Sequence, residues 1–177
     1  FFFFYFFVVD KVFCIAVELV KYLCDGGDMS GCDNLGFMYT NGNGVEKNKQ
    51  KAVDLYKKAC DGGEMLGCFN LGTMYAKGSG TEKDFGKAAE LFKKACDGGN
   101  MYGCGTLGAI YFDGNGVEKD FSKAAKLFKK ACDGGEMLGC TSLGVMYAKG
   151  SGVEKDLDKA AQLYKKACDG GEMDLSL

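Results

Sequence analysis

The chain has 177 residues with 22 basic and 24 acidic side chains, a net charge of −2, and 28 Gly, 10 Cys, no Pro, no Trp and no His. Every basic residue is a lysine, so a near-neutral chain without arginine offers no electrostatic footprint for nucleic acid. The lack of histidine excludes a Ser-His-Asp triad, an imidazole acid or base and a His-ligated zinc. With 47% hydrophobic residues, the glycine content is neither that of collagen nor that of a disordered tract, and it must serve a regular backbone purpose.

Residues 1–15 read FFFFYFFVVDKVFCI and resemble nothing downstream. The apolar run is too short, and too interrupted by Asp10 and Lys11, to span a membrane. It reads either as the remnant of a secretory leader, with Cys14 and Ala16 as small residues before a cleavage point, or as a cap on an open helical end. Left exposed, so aromatic a stretch is an aggregation hazard. Ala16, Leu19, Lys21 and Cys24 stand one period before Ala52, Leu55, Lys57 and Cys60, so 16–24 is a worn copy of a later helix. We take 1–23 as an aberrant N-terminal segment.

From Cys24 onward the chain repeats itself. Cysteines fall at 24, 60, 96, 132 and 168, and again at 32, 68, 104 and 140, with a spacing of 36 in both series. The surrounding text follows the same period: CDGGDMSGC, CDGGEMLGC, CDGGNMYGC, CDGGEMLGC and a last, broken CDGGEMDLS. A fixed period of this length marks a stacked repeat array. The repeats are 24–59, 60–95, 96–131 and 132–167, followed by a truncated start at 168–177.

Within one period, Met65, Cys68, Leu71 and Tyr75 recur at offsets of three and four and predict a helix A over Glu64–Lys77. Phe85, Ala88, Leu91, Phe92 and Ala95 predict a helix B over Asp84–Cys96. Asp84, Asp120 and Asp156 stand at the N-cap of helix B, and lysine pairs such as Lys93-Lys94 fall in its last turn. These doublets (57-58, 93-94, 129-130, 165-166) read as solvated helix ends partnered by acids one turn earlier, as Glu90 with Lys94. Gly98-Gly99 supplies left-handed residues for the B-to-A turn, and Gly78 and Gly80 break the A-to-B connection. Gly72, inside helix A, costs helix propensity and predicts a close helix approach. A two-helix unit cannot bury both its faces alone, so neighbours must stack. The expected fold class is all-α, an α/α superhelix of tetratricopeptide kind with about four helix-turn-helix repeats.

Each period pairs two cysteines eight residues apart across the DGG turn: Cys24/Cys32, Cys60/Cys68, Cys96/Cys104 and Cys132/Cys140. Antiparallel helices joined by a tight turn bring such positions within disulfide reach. Zinc motifs space their paired cysteines two to four apart and fit less well. Reduced thiols in a cytosolic protein are the other alternative. Disulfides are the preferred reading, with no metal and no cofactor, and they imply a secreted or periplasmic location. Cys14 and Cys168 remain unpaired, since the position eight after Cys168 is Ser176.

The unit L-G-x-M-Y-x-x-G-x-G-V/T-E-K-D…K-A…L-F/Y-K-K-A-C-D-G-G resembles the Sel-like repeat, a relative of the tetratricopeptide repeat. Leu71-Gly72, Tyr75, Gly78-x-Gly80 and Lys87-Ala88 carry the likeness over about residues 16–174. The added cysteines eight apart resemble the Helicobacter cysteine-rich protein family. That resemblance implies a secreted α/α superhelix with one disulfide per repeat, in a family that carries a penicillin-binding or β-lactamase label and whose members are discussed as engaging host cells.

Positions that differ between copies are released from scaffold duty, and in helix A they form a second stripe at offsets of three and four. The candidate binding residues are Asp33, Asn34, Phe37 and Asn41; Leu66, Phe69, Asn70, Thr73 and Lys77; Tyr102, Thr106 and Asp113; and Leu138, Thr141, Ser142 and Lys149. Helices A line the concave side of such arrays, so these stripes would form one groove for a protein or peptide. Its partner would be a host or cell-envelope component. Drift on a solvated face is the competing explanation, and the aromatics Phe37, Phe69 and Tyr102 tilt the balance towards binding. The enzymatic alternative, recognition of a β-lactam or a peptidoglycan-like ligand, rests on the resemblance alone. No serine has a lysine three residues on and there is no K-T-G, so catalytic residues are unassigned. The third alternative is a cytosolic adaptor of the kind formed by Sel-like repeats without cysteines.

Overall fold

In the computed structural model, residues 15–172 are described, and every regular element among them is α-helical. Residues 15–25 form α1. It is followed by α2 (Met29–Asn41), α3 (Lys49–Asp61), α4 (Met65–Lys77), α5 (Phe85–Asp97), α6 (Met101–Asp113), α7 (Phe121–Asp133), α8 (Met137–Lys149) and α9 (Leu157–Glu172). Even-numbered helices are helices A and odd-numbered ones helices B. The expected spans for α4 and α5 are met within one residue at either end. The fold class is all-α. Two compact units divide between Asp84 and Phe85.

The helix ends follow from local chemistry. Asp120 and Asp156 cap α7 and α9, accepting from the amides of Lys123 and Lys159 at 2.9 Å each, and Asn48 does the same for α3. Helices A are capped too, by Asp28, Glu64, Asn100 and Glu136, the residue directly before each Met. Such a cap contributes about 1 kcal/mol. Only the second glycine of each DGG turn is left-handed: Gly63 and Gly99 have φ of 94°, whereas the first, as at Gly62, has φ of −79° and continues the helix end. The expectation that both glycines of the pair are left-handed is thereby corrected, because one residue suffices to reverse the chain.

In each unit the helices pack along the chain, α2 on α3 on α4 in the first and α5 through α9 in order in the second. Two close approaches set that packing. Within a repeat, the mid-helix glycine of helix A faces the aromatic ring of helix B; a Cβ on Gly36 would lie 2.8 Å from the Tyr56 ring, and one on Gly108 2.9 Å from the Phe128 ring. Between repeats, a Cβ on Gly67 or Gly139 would lie 2.7 Å from the Cβ of Ala59 or Ala131. The second approach escaped the sequence reading, although the glycine before each cysteine of helix A is its signal.

That crossing places the paired cysteines opposite one another. Cys24–Cys32, Cys60–Cys68, Cys96–Cys104 and Cys132–Cys140 are disulfides with Cα–Cα distances of 4.4–4.5 Å, and all eight residues are buried. Cys168 is free and exposed; Cys14 lies outside the described residues.

The lysine doublets divide their work. The first lysine pairs with the aspartate one turn later, Lys57 with Asp61 at 2.9 Å, Lys93 with Asp97 at 2.6 Å and Lys129 with Asp133. The second reaches back one repeat: Lys58 donates to the Cys24 carbonyl at 3.1 Å, Lys130 to that of Cys96 at 2.9 Å and Lys166 to that of Cys132 at 3.1 Å. The end of a helix B carries carbonyls without intrahelical donors, and a cation there is favoured by the helix dipole. The recurring helix-A tyrosines have a partner as well, since Lys51, Lys123 and Lys159 lie 5.2–5.4 Å from the ring centres of Tyr39, Tyr111 and Tyr147.

Candidate functional site

In the first unit, α2 presents Asn34, Phe37 and Asn41 to solvent, with Phe37 54% exposed. The Asn41 amide donates to the Phe37 carbonyl at 3.0 Å, which holds it against its own helix. On α4, Leu66 and Lys77 are exposed, while Phe69, Asn70 and Thr73 are half-buried.

Asp33 departs from the expected stripe. It is only 4% exposed and accepts from the Asn70 side chain at 2.8 Å, tying helix A of one repeat to helix A of the next. Burial pushes its carboxyl above the ordinary carboxylate range; the Asn70 hydrogen bond opposes the rise and the neighbouring Glu64 carboxylate adds to it. Asp33 is therefore a strut between α2 and α4 and not an open contact residue. A second link lies beside it, where the Ser30 hydroxyl donates to Glu64 at 2.7 Å while Glu64 also caps α4.

In the second unit, Tyr102 and Asp113 on α6 and Leu138, Thr141 and Lys149 on α8 are exposed, and Thr106 and Ser142 are half-buried. Tyr102 is 62% and Leu138 74% exposed. The place of Asp33 is taken by Gly105, and a Cβ there would lie 2.8 Å from a carboxylate oxygen of Glu136. Glu136 is buried and spends its charge on the amides of Leu138 and Gly139, at 3.0 and 2.6 Å.

Large apolar side chains thus stand out from a backbone that is capped and cross-linked on both sides of them. Two recesses, about 320 Å³ beside Tyr39 and Lys51 and about 370 Å³ beside Tyr147 and Lys159, contain none of the candidate residues.

The Sel1 repeat profile matches residues 30–64, 66–100, 101–136 and 138–172, one match per A–B helix pair. The chain belongs to the Sel1 repeat family. None of the curated proteins matches it significantly, but solved structures do. A protective antigen present in uropathogenic Escherichia coli strains, which displays an SLR fold, is similar at 32% identity and a TM-score of 0.85 over 89% of this chain. A Sel1 repeat protein from Oxalobacter formigenes is 28% identical, with a TM-score of 0.85 over 93% of this chain and 70% of its own. Cysteine-rich protein B of Helicobacter pylori is 37% identical, with a TM-score of 0.57 over 73% of this chain and 93% of its own. This Sel1 repeat chain spans 34% of the Escherichia coli antigen. It is a Sel1 repeat scaffold cross-linked by disulfides, and no helix of the described residues is long and apolar enough to cross a membrane.

Proposed function

We propose that this chain is a non-catalytic, extracytoplasmic binding scaffold that holds a protein or peptide on the helix-A faces of its repeats. The observation that carries the reading is the exposure of Phe37, Tyr102 and Leu138 on a backbone whose neighbouring positions are buried, capped and disulfide-bonded. Aromatic and aliphatic side chains raised from a rigid support are suited to be anchors, because little conformational entropy is left to lose on binding. Asn34, Asn41, Thr141 and Lys149 would supply the polar surround. Four buried disulfides favour an oxidising compartment, and a host or cell-envelope component is the partner class that such a location supplies.

The test is capture from host-cell or envelope extract by the oxidised protein. A Phe37→Ala, Tyr102→Ala, Leu138→Ala variant should lose the captured partner while its circular dichroism stays unchanged. Undiminished capture would refute the assignment of the face. Turnover of a chromogenic cephalosporin that persists through purification to homogeneity would overturn the non-catalytic reading.

A further inference from the structure

We infer that Asn43 and Asn115 are sites of spontaneous covalent modification, where the amide of the following glycine closes on the side-chain carbonyl and asparagine becomes aspartate and isoaspartate. The chain holds three Asn-Gly pairs, at 41–42, 43–44 and 115–116, and glycine, lacking a Cβ, crowds its own nitrogen least. The fold treats the three differently. Asn41 ends α2; its side-chain amide donates to the Phe37 carbonyl at 3.0 Å and the Gly42 amide donates to the Met38 carbonyl at 2.8 Å. Both reacting groups are held there. Asn43 and Asn115 lie exposed in the bends that follow α2 and α6. Their main-chain amides donate to the Met38 and Ile110 carbonyls at 3.0 and 3.2 Å. Among the described residues, neither their side chains nor the amides of Gly44 and Gly116 have a hydrogen-bond partner. The same criterion sets aside the aspartates that precede glycine, since the amides of Gly26, Gly62, Gly98, Gly114 and Gly134 each donate to the carbonyl four residues back at 2.9–3.0 Å. In the other two repeats the equivalent positions are Ser79 and Ser151, which have no side-chain carbonyl to attack.

The reaction needs only water and hydroxide. The Gly116 nitrogen gives its proton to hydroxide and bonds to the side-chain carbonyl carbon of Asn115. The side-chain nitrogen leaves as ammonia after taking a proton from water, which restores the hydroxide, and a cyclic imide remains. Water then opens the ring. Breaking the new bond gives aspartate; breaking the original link to the main-chain carbonyl gives isoaspartate, whose main chain runs through the side chain and is longer by a methylene. In sum, an amide and water become a carboxylate and ammonium. At Gly116 the fold has no room for the longer chain. A Cβ there would lie 2.4 Å from the Cβ of Phe85 and 2.8 Å from its carbonyl carbon, so the loop between α6 and α7 is seated on the start of α5. Isoaspartate at 115 therefore adds a negative charge and also pushes Gly116 off that seat.

The test incubates the full oxidised chain in mildly alkaline buffer and follows each site by peptide mapping, with isoaspartate counted by enzymatic methylation. Asn43 and Asn115 should convert about tenfold or more faster than Asn41, whose two hydrogen bonds must open first, and their rates should rise with pH. In the reduced chain in urea the three sites should converge on similar rates, because the fold makes the difference. Equal rates at the three sites in the folded chain would overturn the proposal. So would an Asn115 that stays intact in the protein while the free peptide YFDGNGVEK, the sequence of residues 111–119, converts. Asn115→Ser, the residue its equivalents carry at 79 and 151, should end the change at 115 with the circular dichroism unaltered. The displacement is read in an Asn43→Ser background, where the acidic fraction of incubated protein should unfold at lower urea than Asn115→Asp, which has the same charge on a main chain of ordinary length. Coincident melts would overturn the displacement at Phe85.

Discussion

The unit up to Asp84 and the unit from Phe85 build the same helix-A face around opposite solutions to one problem, where to put a carboxylate. In the first, Asp33 is buried and Asn70 of the next repeat holds it. In the second, Gly105 leaves the space empty and Glu136 of the next repeat turns into it, saturated by its own helix's amides. One face is braced from helix to helix by side chains, the other by a cap. The lesson is that a variable position in a repeat is not by that fact a free one. Variation at Asp33 changes how neighbouring repeats are tied, whereas variation at Tyr102 and Leu138 changes what the surface offers.

If the units share one scaffold, removing equivalent staples should cost them alike. Cys60→Ala with Cys68→Ala, and separately Cys132→Ala with Cys140→Ala, should each lower stability by about 2.5 kcal/mol, the loop-closure value for so short a ring. Urea melts check this, and unequal losses would break the equivalence. Asn70→Ala tests the first unit alone. It leaves the Asp33 carboxylate buried without its donor and should cost about 2 kcal/mol, whereas Ser142→Ala, at the same place in the second unit, should cost less than about 0.5 kcal/mol.

Gly105→Leu addresses the second unit's solution. The new side chain occupies the room of the Glu136 carboxylate and should cost about 1–2 kcal/mol by overpacking; Thr141→Leu, one period on and exposed, should be nearly neutral in the same melts. The smallest effect separates the units by pH. Asp33 has its folded pKa raised above the ordinary 3.8, chiefly by burial, so its contribution is fully present below that value and is lost as pH rises through the folded pKa. Asp120 and Asp156 are lowered, chiefly by the amides they cap, so theirs is present above 3.8 and is lost as pH falls through the lowered folded pKa. Melts of Asp33→Asn against the parent should therefore converge at acid pH and favour the variant at neutral pH. A difference independent of pH would show that Asp33 is not desolvated.

The period, the helix pairs, the caps of helices B and the cysteine register could all be read from the text of the chain. Each is a feature contained within one 36-residue copy, and copies reinforce one another. The burial of Asp33 could not be read in this way, nor could the reach of Lys58 to the Cys24 carbonyl or the glycine crossing at Gly67. Each depends on which side of one helix meets a helix about 34–37 residues away or across a disulfide, and the pattern of apolar residues leaves that rotation open by one position. Helix periodicity names a stripe and not its edges. At those edges the contact between neighbouring helices decides whether Asp33 becomes a strut and whether Tyr102 stays on the surface.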